Sequence, residues 1–159
     1  MTGQRERQQF RAVFASFPTG VAVITAAGAS GPVGMSANAV CALSLDPLLV
    51  LVCFDVTART LPAVRDAGAF AINILRSDQG EVCRKFASKL PEAEKFAGLG
   101  HHRELGVPVL AESLAWIVCG VEELRPAGDH EIAIGAVRAL SEVSGEPLVW
   151  YRGAYRSLG

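Results

Sequence analysis

The sequence predicts a mainly β protein: a closed antiparallel barrel carrying about three short peripheral helices. Three observations carry that prediction. Seven or so short apolar or β-branched runs are separated by turns rich in Gly, Pro, Asn and Asp. Only three stretches have helical spacing, all of them short, which favours an antiparallel arrangement over a parallel sheet. One run, Leu48 to Phe54, is seven apolar residues without a break, and it reads as a strand buried on both faces. No repeat, linker or low-complexity segment divides the chain, so residues 1–159 are expected to form one domain.

Taken in order, Arg5 to Ser16 suits an amphipathic helix, with Phe10, Val13, Phe14 and Phe17 at spacings of three and four. Pro18-Thr19-Gly20 ends it. Val21 to Ala26 is a β-branched strand, and Gly28 to Pro32 is a hairpin-type turn. The spacing Gly28…Gly31…Gly34 is turn chemistry and does not match a dinucleotide fingerprint. Gly34-Met35-Ser36-Ala37-Asn38 is a small polar run, and Asp46-Pro47 turns the chain into the buried strand. Thr60 caps a short helix that Gly68 closes. Ala69 to Leu75 is a strand with Asn73 its lone polar residue. Ser77 and Asp78 look like caps for a helix through Ala87. Pro91 to His102 is a polar, irregular surface excursion able to cover a pocket. Leu114–Leu124 and Glu131–Leu140 are strands joined by residues 125–130, and Leu148–Tyr151 and Ala154–Arg156 form a last hairpin.

Composition narrows the function classes. Half of the 159 residues are hydrophobic and 19% are charged, a surplus of apolar residues that burial in a dimer or an unusually apolar core would absorb. The net charge is −1 with basic residues scattered, so neither a nucleic acid nor an anionic membrane is an expected partner. The longest apolar run is short of a membrane span, and MTGQRERQQF is too polar for a signal peptide. Cys41, Cys53, Cys83 and Cys119 lie far apart with no CxxC, as expected for buried, reduced thiols in a cytoplasmic protein. Adjacent His101 and His102 lack accompanying ligand spacing and are not read as a metal pair.

An ordered set of segments then resembles a known family. The segments are Phe17-Pro18-Thr19-Gly20-Val21, Gly34-Met35-Ser36-Ala37-Asn38, and Ser44-Leu45-Asp46-Pro47-Leu48-Leu49-Val50. They continue with Arg59-Thr60-Leu61, Phe70 to Leu75, Gly128-Asp129-His130, and Tyr151 to Arg156. Together they resemble the flavin reductase-like family across nearly the whole chain. The resemblance implies a split β-barrel of the Greek-key, FMN-binding type and a homodimer. It also implies hydride transfer from NADH or NADPH to FMN or FAD, as in the reductase component of two-component flavin monooxygenases. Ser36, Ala39 and Leu48 stand where Thr, Ser and a second Pro are common, and Ala39 removes one hydroxyl contact to a flavin.

Site residues follow from that resemblance and from what a flavin requires: polar groups at its pyrimidine edge, an apolar bed and an anion site. Met35, Ser36, Ala37 and Asn38 suit the first, or else form an ordinary strand end with a capping Asn. Ala58, Arg59 and Thr60 suit the phosphate, or form a plain helix cap beside a surface arginine. Cys53, Phe54 and Asp55 would lie along the flavin through backbone contacts. Phe86 and Ala87 would touch the ring, although a core phenylalanine is an equal reading. His130 would border the nicotinamide by the resemblance, or be an exposed loop histidine without it. The leading expectation is an NAD(P)H:flavin oxidoreductase. The alternatives are a flavin- or haem-binding split-barrel protein without turnover, and a relative using pyridoxine phosphate or a deazaflavin.

Overall fold

A computed structural model describes residues 3–159. The chain begins with α1 (Gln4–Phe14), β1 (Thr19–Gly20), β2 (Ala22–Gly28), β3 (Gly31–Ala37), β4 (Val40–Leu45) and β5 (Leu48–Asp55). It continues through α2 (Thr60–Ala67), β6 (Ala69–Ile74), α3 (Gly80–Ala87), α4 (Glu92–Phe96), β7 (His101–Glu104) and β8 (Val107–Leu110). The last elements are β9 (Ala115–Ala127), β10 (His130–Glu142), β11 (Val149–Tyr151) and β12 (Ala154–Arg156). The mainly β expectation holds, with a fourth helix, α4, inside the stretch expected to be irregular.

Seven strands form one antiparallel sheet in the order β3-β2-β6-β9-β10-β5-β4. Its two outermost strands are neighbours in sequence, joined only by Asn38 and Ala39. A flat sheet of seven strands would separate its edges by about 29 Å. Three residue steps from Ala37 to Val40 span at most about 11 Å. The sheet therefore curls until its edges meet at this link. No ladder joins β3 to β4 among the described residues, so the expected closed barrel is corrected to a curled sheet split between these strands.

Alternation along β2 explains why the sheet has a core on each side. Ala22, Ile24 and Ala26 pack with Val50, Val52, Phe54, Phe70 and Ile72 inside the curl, where α2 adds Leu61 and Val64. Val21 and Val23 face the other way, against Leu75, Cys83, Phe86, Phe96, Leu110 and Leu148, so α3 and α4 are fixed on that side. Gly135 is required where it stands, because a Cβ there would lie 2.7 Å from the Phe70 ring and 2.8 Å from Cys119. Asn73, buried within β6, donates to Val23 O and Thr25 Oγ1 and accepts from Leu110 N, which ties β2 and β8 to β6.

Several local expectations are corrected. β5 buries only Val50, Val52 and Phe54; Leu49, Leu51 and Cys53 on its other face are half-buried, so it is an ordinary alternating strand. Thr60 is not a cap: Arg59 occupies the N-cap position in helical conformation and Thr60 is the first buried helical residue. The turn before it already winds the chain, through Ala58 N donating to Asp55 O and Leu61 N to Ala58 O. Ser77 and Asp78 do not cap α3, since its N-cap is Gln79 and Asp78 pairs instead with Arg76 at 2.7 Å. The expected loop 125–130 shrinks to Gly128 and Asp129, with φ +65° at Gly128. Pro126 is tolerated inside β9 because β6 pairs with β9 only as far as Gly120, leaving that edge free. All four cysteines are free, but Cys41 is exposed and Cys53 half-buried, so only Cys83 and Cys119 match the expected burial. Burial pushes the Cys119 thiol up to about 12.

Candidate functional site

β3, the Asp55–Thr60 turn, the end of α3 and the start of α4 enclose a pocket of about 680 Å³. Its lining includes Met35, Ser36, Asp55, Thr57, Ala58, Arg59, Thr60, Phe86 and Ala87, continued by Ser88, Lys89, Glu92 and Lys95. β3 reaches this site because its small residues allow close packing. A Cβ on Gly34 would lie 2.7 Å from Phe86 Cε1 and 3.2 Å from Ile24 O, so glycine lets the Phe86 ring press against the strand. That ring is fully buried, stands edge-on to Phe96 at 5.0 Å, and still lines the pocket, so both readings of Phe86 hold together.

A charged network closes one end. Glu92 Oε2 accepts from Gly34 N at 2.9 Å, and Lys95 Nζ donates to Gly34 O at 3.1 Å and to Glu92 Oε1 at 3.1 Å. The first turn of α4 thus grips both backbone groups of Gly34, and Lys95 is only 4% exposed because those acceptors replace its water. Arg59 is half-exposed; its Nη2 donates to Leu90 O at 2.6 Å and lies 3.4 Å from Glu92 Oε1. Arg59, Lys89 and Lys95 against Asp55 and Glu92 leave one net positive charge at the pocket. Such a set suits an anion, although the start of α2 adds little to it, since Leu61 N is already bonded to Ala58 O and Pro62 has no N–H.

The other rim is built by the β9–β10 hairpin. Val56 N donates to Asp129 O at 3.1 Å, and His130 pairs in register with Asp55. The Asp55 carboxylate accepts from Thr57 Oγ1 at 2.6 Å and Thr57 N at 2.7 Å, and these bonds hold it below the usual carboxylate range. His130 Nδ1 lies 2.7 Å from Asp129 Oδ1, and this contact lowers the Asp129 carboxyl in turn. The imidazole is therefore tethered by Asp129 on the strand next to a pocket-lining carboxylate.

The structure brings Met35, Ser36, Asp55, Ala58, Arg59, Thr60, Phe86 and Ala87 into this one pocket. Ser36 and Ala87 also border a neighbouring hollow of about 200 Å³, which Ala37, Asn38, Val21, Cys83, Trp150 and Tyr155 complete. The Phe54 side chain is excluded, being fully buried edge-on to Phe70 at 6.2 Å. Cys53 lines neither space; its N–H donates to Ala39 O at 3.0 Å. His130 lines neither space; it pairs in register with Asp55, which lines the first, and is a strand residue, not a loop one. Sequence reasoning missed Lys89, Glu92 and Lys95. The i,i+3 pair of Glu92 and Lys95 directly after Pro91 was the available signal, since proline followed by acidic residues is a helix start.

A curled, split antiparallel sheet with a cation-lined pocket of this size beside β3 defines a small ligand-binding β domain suited to a phosphorylated planar ring. Comparison with known proteins makes this specific. The family model described as flavin reductase like domain matches residues 14–159. The reductase subunit HsaB of a flavin-dependent monooxygenase from Rhodococcus jostii (strain RHA1) is 41% identical over 153 residues, covering 95% of this chain and 77% of that protein. The solved structure of nitrilotriacetate monooxygenase component B from Mycobacterium thermoresistibile superposes with a TM-score of 0.92 at 39% identity, covering 98% of this chain and 88% of that one. The NADH:FAD oxidoreductase SgcE6 from Streptomyces globisporus, solved with NAD and FAD fragments, gives 0.90 at 31% identity, covering 100% and 96%. The chain belongs to the flavin reductase-like family, and its class is that of oxidoreductases acting on flavin.

Proposed function

We propose that this chain is the reductase component of a two-component flavin monooxygenase, passing a hydride from NADH or NADPH to FMN or FAD and delivering the reduced flavin to an oxygenase. The observation carrying this reading is the 680 Å³ pocket in which a polar strand, an apolar ring and three cationic side chains converge. Its volume lies within the range of small-molecule sites, and its lining fits a flavin: Phe86 and Met35 as the bed, Arg59 and Lys89 for phosphate. When bound, the flavin supplies the hydride-accepting ring.

The chain's own work is to hold and orient. Ser36, with backbone groups of β3, offers hydrogen bonds to the ring edge, and Asn38 extends that polar row into the neighbouring hollow. His130, tethered by Asp129, positions the nicotinamide against the ring; hydride transfer leaves no proton for it to catch. NADH oxidation by the purified protein is expected only when FMN or FAD is added. Flavin binding without such turnover would leave a flavin-binding protein in its place.

We also propose that the active unit is a homodimer of such split barrels. α1 buries no residue in the single chain, and Phe10, Val13, Phe14 and Phe17 are each at least 59% exposed. Leu45 and Leu48 on the β4–β5 hairpin are exposed as well. Apolar surface on this scale is a mark of an interface. Light scattering at micromolar concentration is expected to give twice the mass of 16.8 kDa, and the mass of one chain would contradict the proposal.

A further inference from the structure

Glu92 has no part in the phosphate contact described above, yet its carboxylate is fixed at that end of the pocket. Its side chain is 18% exposed, and it cannot swing away, because Gly34 N holds Oε2 while Lys95 Nζ holds Oε1. The Arg59 guanidinium therefore already has a carboxylate 3.4 Å away and the Leu90 carbonyl at 2.6 Å. We infer that Glu92 is a specificity-determining residue, a resident counter-anion that limits how much a flavin's phosphate adds to binding. The inference rests on the flavin-binding reading of the pocket.

The physical argument is one of competition. A phosphate of about −1.5 to −2 charge that approaches Arg59 must share the guanidinium with Glu92 or draw it away. Sharing sets like charges close together, and drawing away gives up an existing charge-assisted contact; both oppose binding. Lys95 cannot relieve this, since its ammonium is already committed to Glu92 and Gly34 O. Phosphorylated and unphosphorylated flavins are thereby brought nearer in affinity. A flavin held this way exchanges readily, as delivery to a second protein requires.

Dissociation constants of FMN and riboflavin, measured by quenching of flavin fluorescence, test the inference without turnover. The ratio of the riboflavin constant to the FMN constant in the parent protein, to which Lys89 contributes whether or not Glu92 is charged, is the reference. Glu92→Gln is expected to widen that ratio by about a further tenfold, chiefly through tighter FMN, with riboflavin affinity held within about twofold. Glu92→Asp keeps the charge and should leave the ratio near the parental value. An unchanged ratio in Glu92→Gln overturns the inference, as does equal widening in Glu92→Asp. If Glu92→Gln does not fold, Glu92→Ala takes its place: it too removes the charge and should widen the ratio, and an unchanged ratio there overturns the inference. Failure of the parent to bind either flavin would overturn the flavin reading itself, and this inference with it.

Discussion

Replacing His130 with alanine is expected to lower kcat/KM for the nicotinamide donor about ten- to a hundredfold, or roughly 1.4–2.7 kcal/mol of transition-state stabilisation. Flavin affinity and the bound-flavin spectrum should stay close to the parent's, because His130 does not line the pocket. The magnitude suits a positioning contact. The imidazole is held by Asp129 at 2.7 Å on a hairpin that Val56 N pins to the end of β5, so it presents a fixed face. Loss of the ring leaves the hairpin's ladder in place, since His130 pairs with Asp55 and Ala127 through backbone. A purely structural role would reduce stability and leave the reduction rate per folded molecule unchanged. Stopped-flow reduction of the folded variant separates the two, and a parental rate constant with parental NADH dependence would remove His130 from the reaction.

Arg59→Ala is the second large effect. FMN affinity should fall about tenfold, the lower end of what a charge-assisted contact contributes, while riboflavin affinity is nearly unchanged. The low figure follows from the Glu92 carboxylate beside the guanidinium, which already opposes the phosphate. The half-exposed side chain also binds Leu90 O, so some loosening of the chain between α3 and α4 is expected. That loosening would affect both ligands alike; only the difference between them reports the phosphate. Equal weakening of FMN and riboflavin in fluorescence titration would move Arg59 off the phosphate.

What the sequence made legible, and what it hid, follows from the range of the interactions involved. The helix from Thr60 and the strand from Ala69 were readable because local chemistry sets them: Gly68 takes φ +62° and ends α2, and β-branched and aromatic residues follow. β3 was hidden because Gly34, Ser36 and Ala37 have little strand propensity; β2 on one side and α4 on the other impose the conformation. α4 was hidden because five residues carry too short a period, and Lys95 is buried by partners that are distant in sequence. The split between β3 and β4 is a property of the whole sheet's curl, which no local pattern encodes. Within the site, Met35, Ser36, Arg59 and Thr60 were legible through family-like segments, and Asp55 and Phe86 through their places at the end of the apolar strand and within the third helix. Lys89, Glu92 and Lys95 belong to none of those segments, and the pair after Pro91 marks a helix start without showing that it reaches the pocket.

The central claim is that this pocket holds a flavin for hydride transfer, and anaerobic rapid mixing tests it most directly. Purified protein mixed with FMN or FAD and then with NADH or NADPH is expected to bleach the flavin's visible absorbance far faster than the same mixture without protein. The rate should saturate with the nicotinamide, as it must if the donor occupies a site beside the bound ring. A flavin that binds, quenches and yet is reduced no faster than free flavin by either nucleotide would contradict the account.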